Sequence, residues 1–196
     1  MGFRWDWFGT TAQPNFQRFL VEKHRDKEGL RYLEIGPFEG KATCWMLENV
    51  LIGNNCKITV IDTFGGGQEH DKTKLTDLLG IFLDNTKRWR NKVDTIVGKS
   101  QEILPSHING SIPSKDVFDF VYVDGSHIGE DVFQDCDNGF RLLKEGGIMA
   151  MDDYQWPGVT GKSEDTPKPG IDKFLSMYTE KYILLMKDYQ VWIEKI

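Results

Sequence analysis

Acidic residues and a histidine follow two apolar runs in the second half of the chain. Asp124 comes directly after FDFVYV, and His127 follows three residues later. Asp152 and Asp153 come directly after GGIMAM. If both runs are neighbouring parallel strands, the three carboxylates lie close together and raise one another's pKa. A hard divalent cation such as Mg²⁺ would relieve their repulsion. We therefore predict that these acids bind a metal, and that the loop after Asp124 can turn His127 toward the same pocket.

A glycine-containing turn joins another apolar run to a helical pattern. Residues 34–41, EIGPFEGK, carry Gly36 and Gly40 four positions apart. Glycines at a strand-to-helix turn let the backbone approach a ligand, and the helix N-terminus adds partial positive charge. Phe38 stands where GxGxxG has its middle glycine, and neither the glycine spacing nor the residue after Lys41 matches a P-loop. The turn predicts a ligand site without a phosphate cradle.

Polar residues end the next two apolar runs. Asp62 lies 26 residues after Gly36, and an acid at this place accepts hydrogen bonds from both ribose hydroxyls in Rossmann-like folds. Ser100 and Gln101 follow the third run, where they would meet an adenine edge. A nucleoside without a phosphate site fits S-adenosylmethionine, whose aminoacyl end would lie near Glu34.

Apolar runs rich in β-branched residues recur at helix-length spacing. The predicted strands are 31–36, 57–62, 94–98, 118–124, 146–153, 182–187 and 191–196. The predicted helices are 41–51, 74–89, 130–143 and 171–178, with a short turn at 101–104 and a loop at 165–170. This alternation predicts a parallel sheet with helices on both faces. Because three residues separate the last two strands, they should form an antiparallel hairpin, which puts one reversed strand at the end of the sheet.

Four motifs lie in order at the predicted strand ends: YLEIGPFEGKAT, ITVIDTF, GKSQEIL and FDFVYVDGSH. They resemble the successive motifs of class I S-adenosylmethionine-dependent methyltransferases. The resemblance covers residues 31–196 and implies an α/β, Rossmann-like methyltransferase fold, with a seven-stranded, mostly parallel sheet whose last strand is antiparallel. The cofactor-binding residues that it implies are Glu34, Gly36, Phe38, Gly40, Asp62, Thr63, Phe64, Ser100, Gln101 and Asp124.

The acidic site resembles that of metal-dependent O-methyltransferases. Catechol enzymes of this branch carry Asp-Asn at the fifth strand and a lysine as base. Here Asp152-Asp153 and His127 match the pattern of macrolide sugar O-methyltransferases and cephalosporin-hydroxylase-type proteins. The resemblance implies that His127 and Asp124 are catalytic. It implies a cation on two adjacent substrate oxygens, proton removal by His127, and attack of the alkoxide on the methyl group in line. It implies a small hydroxylated acceptor, a sugar or glycoside.

Alternatives stay open for each assignment. The two glycines also suit a tight turn of another α/β fold. Asp152 and Asp153 also suit helix caps, and His127 also suits a cap or a structural partner of Asp131. The alternative functions are a methyltransferase with a phenolic or other acceptor, and a non-catalytic S-adenosylmethionine-binding partner protein.

Two aromatic regions flank the predicted site. One is formed by Phe3, Trp5, Trp7 and Phe8, and the other is 154–158, directly after the predicted metal ligands. Loops beyond catalytic strand ends carry lids and specificity elements. We expect these rings to stack on a ring or sugar face, although the N-terminal rings suit a hydrophobic cap or a dimer contact equally well.

The length and net charge of the chain limit its domain organisation and the classes of partner that it can have. The 196 residues suit one domain, 1–196, with 1–30 as a helical N-terminal cap or lid over one end of the sheet and 31–196 as the catalytic core. A net charge of −6 argues against a nucleic-acid partner. Three scattered cysteines, no signal-peptide pattern and no membrane-length apolar run predict a cytoplasmic protein without a membrane partner. We expect a small-molecule substrate, leave a homo-oligomer open, and place His24 and His107 on the solvated surface.

Overall fold

The structure, a computed structural model, describes residues 2–67, 75, 77–106 and 117–196. This part of the chain contains seven strands: β1 Arg31–Ile35, β2 Lys57–Asp62, β3 Val93–Val97, β4 Phe118–Val123, β5 Leu143–Met151, β6 Tyr182–Lys187 and β7 Val191–Lys195. They form one sheet in the order β3-β2-β1-β4-β5-β7-β6. Only β7 runs against its neighbours, β5 and β6, which confirms the predicted sheet. The reversed strand lies inside the sheet, however, and β6 forms the edge.

Helices connect most of the parallel strands. The described helices are α1 Trp7–Thr11, α2 Gln13–Phe16, α3 Glu22–His24, α4 Lys41–Asn49, α5 Leu78–Thr86, α6 Ser100–Ser106, α7 Gly129–Leu142 and α8 Pro167–Met177. A π-helical turn, Gln17–Val21, joins α2 to α3. The turn predicted at 101–104 is part of a helix, α6. The helix predicted from residue 74 begins at Leu78 in the described part, and residues 74 and 76 lie outside it.

Helix α8 begins inside the segment that was predicted as a loop. Pro167 and Pro169 lie in its first turn, where backbone N–H groups have no intrahelical acceptor, so proline removes no hydrogen bond. A Cβ on Gly170 would lie 2.0 Å from the carbonyl oxygen of Gly129. The glycine therefore lets α8 pack closely against α7, and the loop prediction was wrong because proline and glycine here serve a helix.

The N-terminal helices cover a face of the sheet rather than one end. Phe16 and Leu20 are fully buried, and the Phe16 ring lies 4.9 Å from Tyr122 and 5.2 Å from Trp192. Burying side chains of this size stabilises the fold by roughly 1.5–3 kcal/mol each. Such burial requires an extended apolar surface, which a face of the sheet provides. Helix α4 packs on this face, and α7 and α8 cover the other.

The sheet register brings the strand ends together. Ile35, at the end of β1, pairs with Ile61 and Val123, and Val123 pairs with Met151 at the end of β5. Residues that follow these strands therefore emerge at one edge, where open α/β sheets bind ligands. Within the described ranges, no helix is long and apolar enough to cross a bilayer.

Candidate active site

A cavity of about 770 Å³ opens at this edge of the sheet. Its size is within the range of roughly 300–1,000 Å³ that is typical of small-molecule sites. The predicted site residues that line it are Glu34, Gly36, Phe38, Asp62, Thr63, Ser100, Gln101, Asp124, His127, Asp152 and Asp153. Gly40 and Phe64 are not part of its wall, and the Phe64 ring packs instead on Phe82, 5.4 Å away.

The two turn glycines make room for the protein itself. Gly36 has φ +82°, and a Cβ there would lie 2.1 Å from the carbonyl oxygen of Asp124. Gly40 has φ +84°, and a Cβ there would lie 2.9 Å from the Phe82 ring. We predicted that these glycines let the backbone approach a ligand. In the structure they let the turn pack against the end of β4 and against α5, which shapes the cavity wall.

Asp62 ties two loops of the cavity together. Its Oδ1 accepts a hydrogen bond from the backbone N–H of Phe64 at 2.8 Å, and its Oδ2 accepts one from that of Phe38 at 3.3 Å. Both phenylalanines have left-handed backbones, with φ 52°. Burial raises the pKa of Asp62, while these hydrogen bonds favour its ionised form. The acid that was predicted to bind a ribose is thus held in place from both sides.

A buried acid on α7 orients the predicted adenine contact. Gln101 donates from Nε2 to Asp135 Oδ1 at 3.0 Å, which leaves its carbonyl oxygen as an acceptor. Asp135 is fully buried, and burial raises its pKa to about 7. Its Oδ2 has no hydrogen-bond partner among the described residues. Asp135 was missed in the sequence because nothing distinguishes it from the other acids of this amphipathic helix.

Glu34 is a buried carboxyl on the cavity wall. Only 1% of the residue is exposed, and Thr43 Oγ1 donates to its Oε2 at 2.6 Å. Burial raises the pKa of Glu34 to about 8, and the nearby charge of Asp62 adds to the shift. A cationic ligand group at this place would favour the ionised carboxylate.

The three predicted metal ligands face the same cavity and feel one another's charge. Burial, followed by the charges of Asp152 and Asp153, raises the pKa of Asp124, and burial and Asp153 raise that of Asp152. A divalent cation would relieve such repulsion, and carboxylate oxygens are ligands that a hard metal ion prefers. Among the described residues, however, no three His, Cys, Asp or Glu side chains form a group that could hold a metal. The convergence of three carboxylates on one spot is therefore not seen, and the metal site stays a prediction.

Asp152 and Asp153 are each held by contacts with other side chains of the protein. Asp152 Oδ2 accepts hydrogen bonds from the Tyr122 hydroxyl and from Gln190 Nε2, the latter at 2.8 Å. Asp153 has a left-handed backbone, with φ 56°, and its Oδ2 lies 3.0 Å from His127 Nε2. Each of the two neighbouring acids is thus held by a different set of side chains.

His127 lies between an acid and an indole. Besides its contact with Asp153, its ring lies 4.3 Å from the ring of Trp156. The alternative partner considered for it, Asp131, instead accepts a hydrogen bond from Ser126 Oγ at 2.9 Å. A histidine that is held beside a carboxylate on a cavity wall has the arrangement of a general base and its orienting acid.

An aromatic wall, formed by Trp5, Trp7 and Phe38, faces the cavity beside the glycine turn. Trp5 and Trp7 stack with their centroids 5.8 Å apart, and Phe38 lies 5.6 and 5.4 Å from them. Phe8 also lines the cavity, whereas Phe3 does not. Of residues 154–158, only Trp156 lines it.

Residues 33–154 match a sequence family that is described as a methyltransferase domain. The chain belongs to this methyltransferase family. An uncharacterised protein of Acanthamoeba polyphaga mimivirus is 29% identical to it over 131 residues, which are 66% of this chain and 54% of that protein. The chain thus spans about half the length of this curated relative.

Solved structures show the same fold. An O-methyltransferase from Bacillus cereus in complex with SAH has a TM-score of 0.60 and 16% identity, over 84% of this chain and 74% of that one. MycE methyltransferase of mycinamycin biosynthesis, in complex with Mg, SAH and mycinamycin VI, has a TM-score of 0.62 and 21% identity, over 100% of this chain and 50% of that one. A putative rRNA-methylase from Clostridium thermocellum has a TM-score of 0.67 and 18% identity, over 94% and 93%. At these identities the likeness concerns the fold of the methyltransferase.

Sequence reasoning missed several residues of the candidate site. Glu39 was treated only as part of the turn, yet it is 2% exposed and accepts a hydrogen bond from the backbone of Arg4 at 2.7 Å, which anchors the aromatic wall. Tyr122 was an ordinary strand residue, although its position two residues before Asp124 puts both on one face. Gln190 was counted only as hairpin turn, and no local pattern reveals its contact with Asp152.

Two expectations about other residues need correction. His24, expected at the surface, is 3% exposed, and its Nδ1 lies 2.6 Å from the Tyr32 hydroxyl. Burial lowers the pKa of His24 to about 4. Tyr154, placed in a specificity loop, points away from the cavity and donates to Asp172 Oδ1 at 2.9 Å. His107 lies outside the described residues.

Proposed function

We propose that the protein is an S-adenosylmethionine-dependent O-methyltransferase, assisted by Mg²⁺ or a similar divalent cation, that acts on a small hydroxylated metabolite, a sugar or glycoside. The observation that carries the proposal is the contact between His127 Nε2 and Asp153 Oδ2, 3.0 Å long, on the wall of the cavity that also contains Asp62. A protein that only binds a nucleoside needs no such base. An acceptor hydroxyl that attacks a methyl group must lose its proton, and we assign this proton to the His127–Asp153 pair.

The cofactor proposal follows from the chemistry of the cavity wall. Glu34, whose pKa is raised to about 8, would pair with the aminoacyl ammonium group, which favours the carboxylate. Asp62 would accept hydrogen bonds from the ribose, and Ser100 and Gln101 would contact the adenine. Gly36 and Phe38 shape the turn against which the cofactor would lie. A wall this acidic also attracts the positive charge of a sulfonium.

The acid–base step belongs to two residues of this chain. When bound, S-adenosylmethionine supplies an electrophilic methyl group, and a divalent cation on Asp124, Asp152 and Asp153 lowers the pKa of a hydroxyl. At Nδ1, the ring nitrogen that does not face Asp153, His127 would take up the proton that the acceptor hydroxyl releases. The resulting imidazolium donates from Nε2 to Asp153 Oδ2, which stabilises its charge. Trp156 packs against the imidazole and helps to keep it in this orientation.

The shape of the cavity supports a small acceptor. The aromatic wall offers flat apolar surfaces on which the face of a sugar or another ring can stack. The MycE structure contains Mg, SAH and mycinamycin VI, and this similarity supports a cation and a small-molecule acceptor here too. The net charge of −6 argues against RNA as the acceptor, despite the likeness to a putative rRNA-methylase. A cytoplasmic location and a homo-oligomer stay predictions.

The decisive experiment is methyl transfer from labelled S-adenosylmethionine to a panel of glycosides, aliphatic diols and phenols, with Mg²⁺ and with EDTA. The proposal expects label in glycosides or diols, only with Mg²⁺, and strongly reduced label with His127→Ala. Label only in phenols would favour the alternative acceptor class. SAH binding in calorimetry without transfer to any acceptor would favour a non-catalytic partner protein, and absence of SAH binding would refute the cofactor.

A further inference from the structure

Asp135, on α7, is a fully buried acid directly behind the cavity wall. Gln101 Nε2 donates to its Oδ1 at 3.0 Å, whereas its Oδ2 has no hydrogen-bond partner among the described residues. This second oxygen lies close to Gly125, where a Cβ would be 3.7 Å from it. Both Gly125 and Gln101 line the cavity. A buried carboxyl oxygen without a partner lowers the stability of a fold, which indicates that Asp135 has a role other than stability.

The contact with Asp135 determines which way the Gln101 amide points. Burial raises the pKa of Asp135 to about 7, and the charge of Asp131 adds to the shift. Above this pH the carboxyl is ionised and can only accept hydrogen bonds, so the atom that faces it must be the amide nitrogen of Gln101. The carbonyl oxygen of Gln101 then points away from Asp135, and it is the part of the amide that is left for a ligand in the cavity.

An amide oxygen in this position distinguishes two kinds of purine. It accepts hydrogen bonds and cannot donate them. It therefore pairs with an exocyclic amino group, as in adenine, and it opposes an oxo group, as in hypoxanthine, because two acceptors then face each other. A site that is built to hydrogen-bond one ligand group discriminates against ligands without that group, since its own polar atom is left unpaired.

We propose that Asp135 is a positioning residue that fixes the Gln101 amide, so that the cavity selects a purine with an exocyclic amino group over one with an oxo group. This inference rests on the proposed function, in which Gln101 contacts the adenine of the cofactor. Asp135 is not part of the cavity wall and acts through Gln101. The buried acid of α7 thus sets the base specificity of a site whose surface it does not reach.

The test compares SAH with S-inosylhomocysteine, which carries an oxo group in place of the adenine amino group, by isothermal titration calorimetry at pH 8. Wild type should bind S-inosylhomocysteine about 10-fold or more weakly than SAH. In Asp135→Leu nothing holds the Gln101 amide, and in Asp135→Asn the new side chain can present its oxygen or its nitrogen to it. The amide can then turn and pair with either purine, so the ratio of the two dissociation constants should fall to about threefold or less in both variants.

Asp137→Asn is the matched control, because Asp137 is another acid of the same helix. It accepts a hydrogen bond from the Tyr178 hydroxyl at 2.6 Å and pairs with Arg141, and it does not line the cavity. Its ratio of dissociation constants should stay within about twofold of wild type. The ratio is the informative quantity, since a purely structural role of Asp135 would weaken both ligands alike and leave the ratio unchanged.

The outcomes separate the inference from the proposed function. If wild type binds neither ligand, the cofactor proposal itself is wrong. If wild type binds SAH and S-inosylhomocysteine equally well, base selection by Gln101 is refuted and the cofactor proposal stands. If wild type prefers SAH and both Asp135 variants keep this preference, the positioning role is refuted. If Asp135→Leu does not fold, as judged by circular dichroism, then Asp135→Asn decides. An equal loss of preference in Asp137→Asn would also overturn the inference.

Discussion

His127 Nε2 and Asp153 Oδ2 lie 3.0 Å apart, although the two residues belong to loops after different strands. Asp153 has a left-handed backbone, with φ 56°. Asp153 therefore has a role that the sequence did not indicate. In the proposed mechanism it would orient the base, in addition to the metal-binding role proposed for it.

Replacement of His127 by Ala should lower kcat about 10²- to 10⁴-fold, because no other group then takes the acceptor's proton. Asp153→Asn should lower kcat less, since the ring keeps a neighbour but loses the charge that stabilises the imidazolium. Steady-state kinetics with the acceptor found in the screen measures both effects, and calorimetry should show an SAH affinity within about twofold of wild type for His127→Ala. A kcat near that of wild type in His127→Ala would exclude this residue as the base.

Asp62→Ala should weaken SAH binding about 10- to 100-fold, which corresponds to the loss of hydrogen bonds to a charged group. The substitution also removes the hydrogen-bond acceptor of the Phe38 and Phe64 backbone amides. The cavity wall should therefore become less ordered, in addition to the loss of the ribose contact. Asp94→Ala is the matched control, because Asp94 is an exposed strand acid that pairs with Lys57 outside the cavity. Isothermal titration calorimetry with SAH measures both variants. Equal affinities in Asp62→Ala and wild type would contradict the nucleoside site.

Removal of divalent cations should abolish methyl transfer and leave SAH binding in place. The reason is that the cation would act on the acceptor hydroxyl, whereas Glu34, Asp62 and Gln101 would hold the cofactor. The measurement is turnover after EDTA treatment, followed by addition of Mg²⁺ or Mn²⁺, with SAH calorimetry in parallel. Transfer that survives EDTA unchanged would remove the metal from the proposal while keeping the base.

Asp135 should make the unliganded protein less stable as the pH rises from about 4 to about 7. Burial raises its pKa from 3.8 to about 7, so over this range the folded state keeps a proton that the unfolded state has lost. The stability due to the protonated form is complete below pH 4 and is lost as the pH rises through 7. At pH 8, Asp135→Asn should raise the free energy of unfolding relative to wild type by an amount on the order of a few kcal/mol.

Urea denaturation at pH 5 and pH 8 measures this difference. Comparison of wild type with Asp135→Asn isolates this one carboxyl, since Glu34 contributes in the same direction to both proteins. Asp94→Asn, at an exposed position, should show no comparable dependence on pH. A constant difference between wild type and Asp135→Asn across this range would show that the ionised carboxylate is not penalised in the folded state.

Local patterns in the sequence were sufficient for most of the fold. The strands β2 and β6 have the predicted bounds, because apolar, β-branched runs are read over a few residues without knowledge of their neighbours. The antiparallel hairpin followed from three connecting residues. The start of α8 was placed wrongly because proline and glycine have two meanings, loop and helix start, and only packing against α7 selects one.

The residues that can do chemistry were also visible in the sequence, because carboxylates and a histidine at strand ends need no partner to be recognised. The sequence by itself determined the α/β sheet, the edge at which the site lies and most of its acids. The tertiary structure decided how those side chains are paired: His127 with Asp153, Gln101 with Asp135, and Asp152 with Tyr122 and Gln190. Such pairs join residues distant in the chain, and their contacts follow from sheet order and helix packing, which no local pattern encodes.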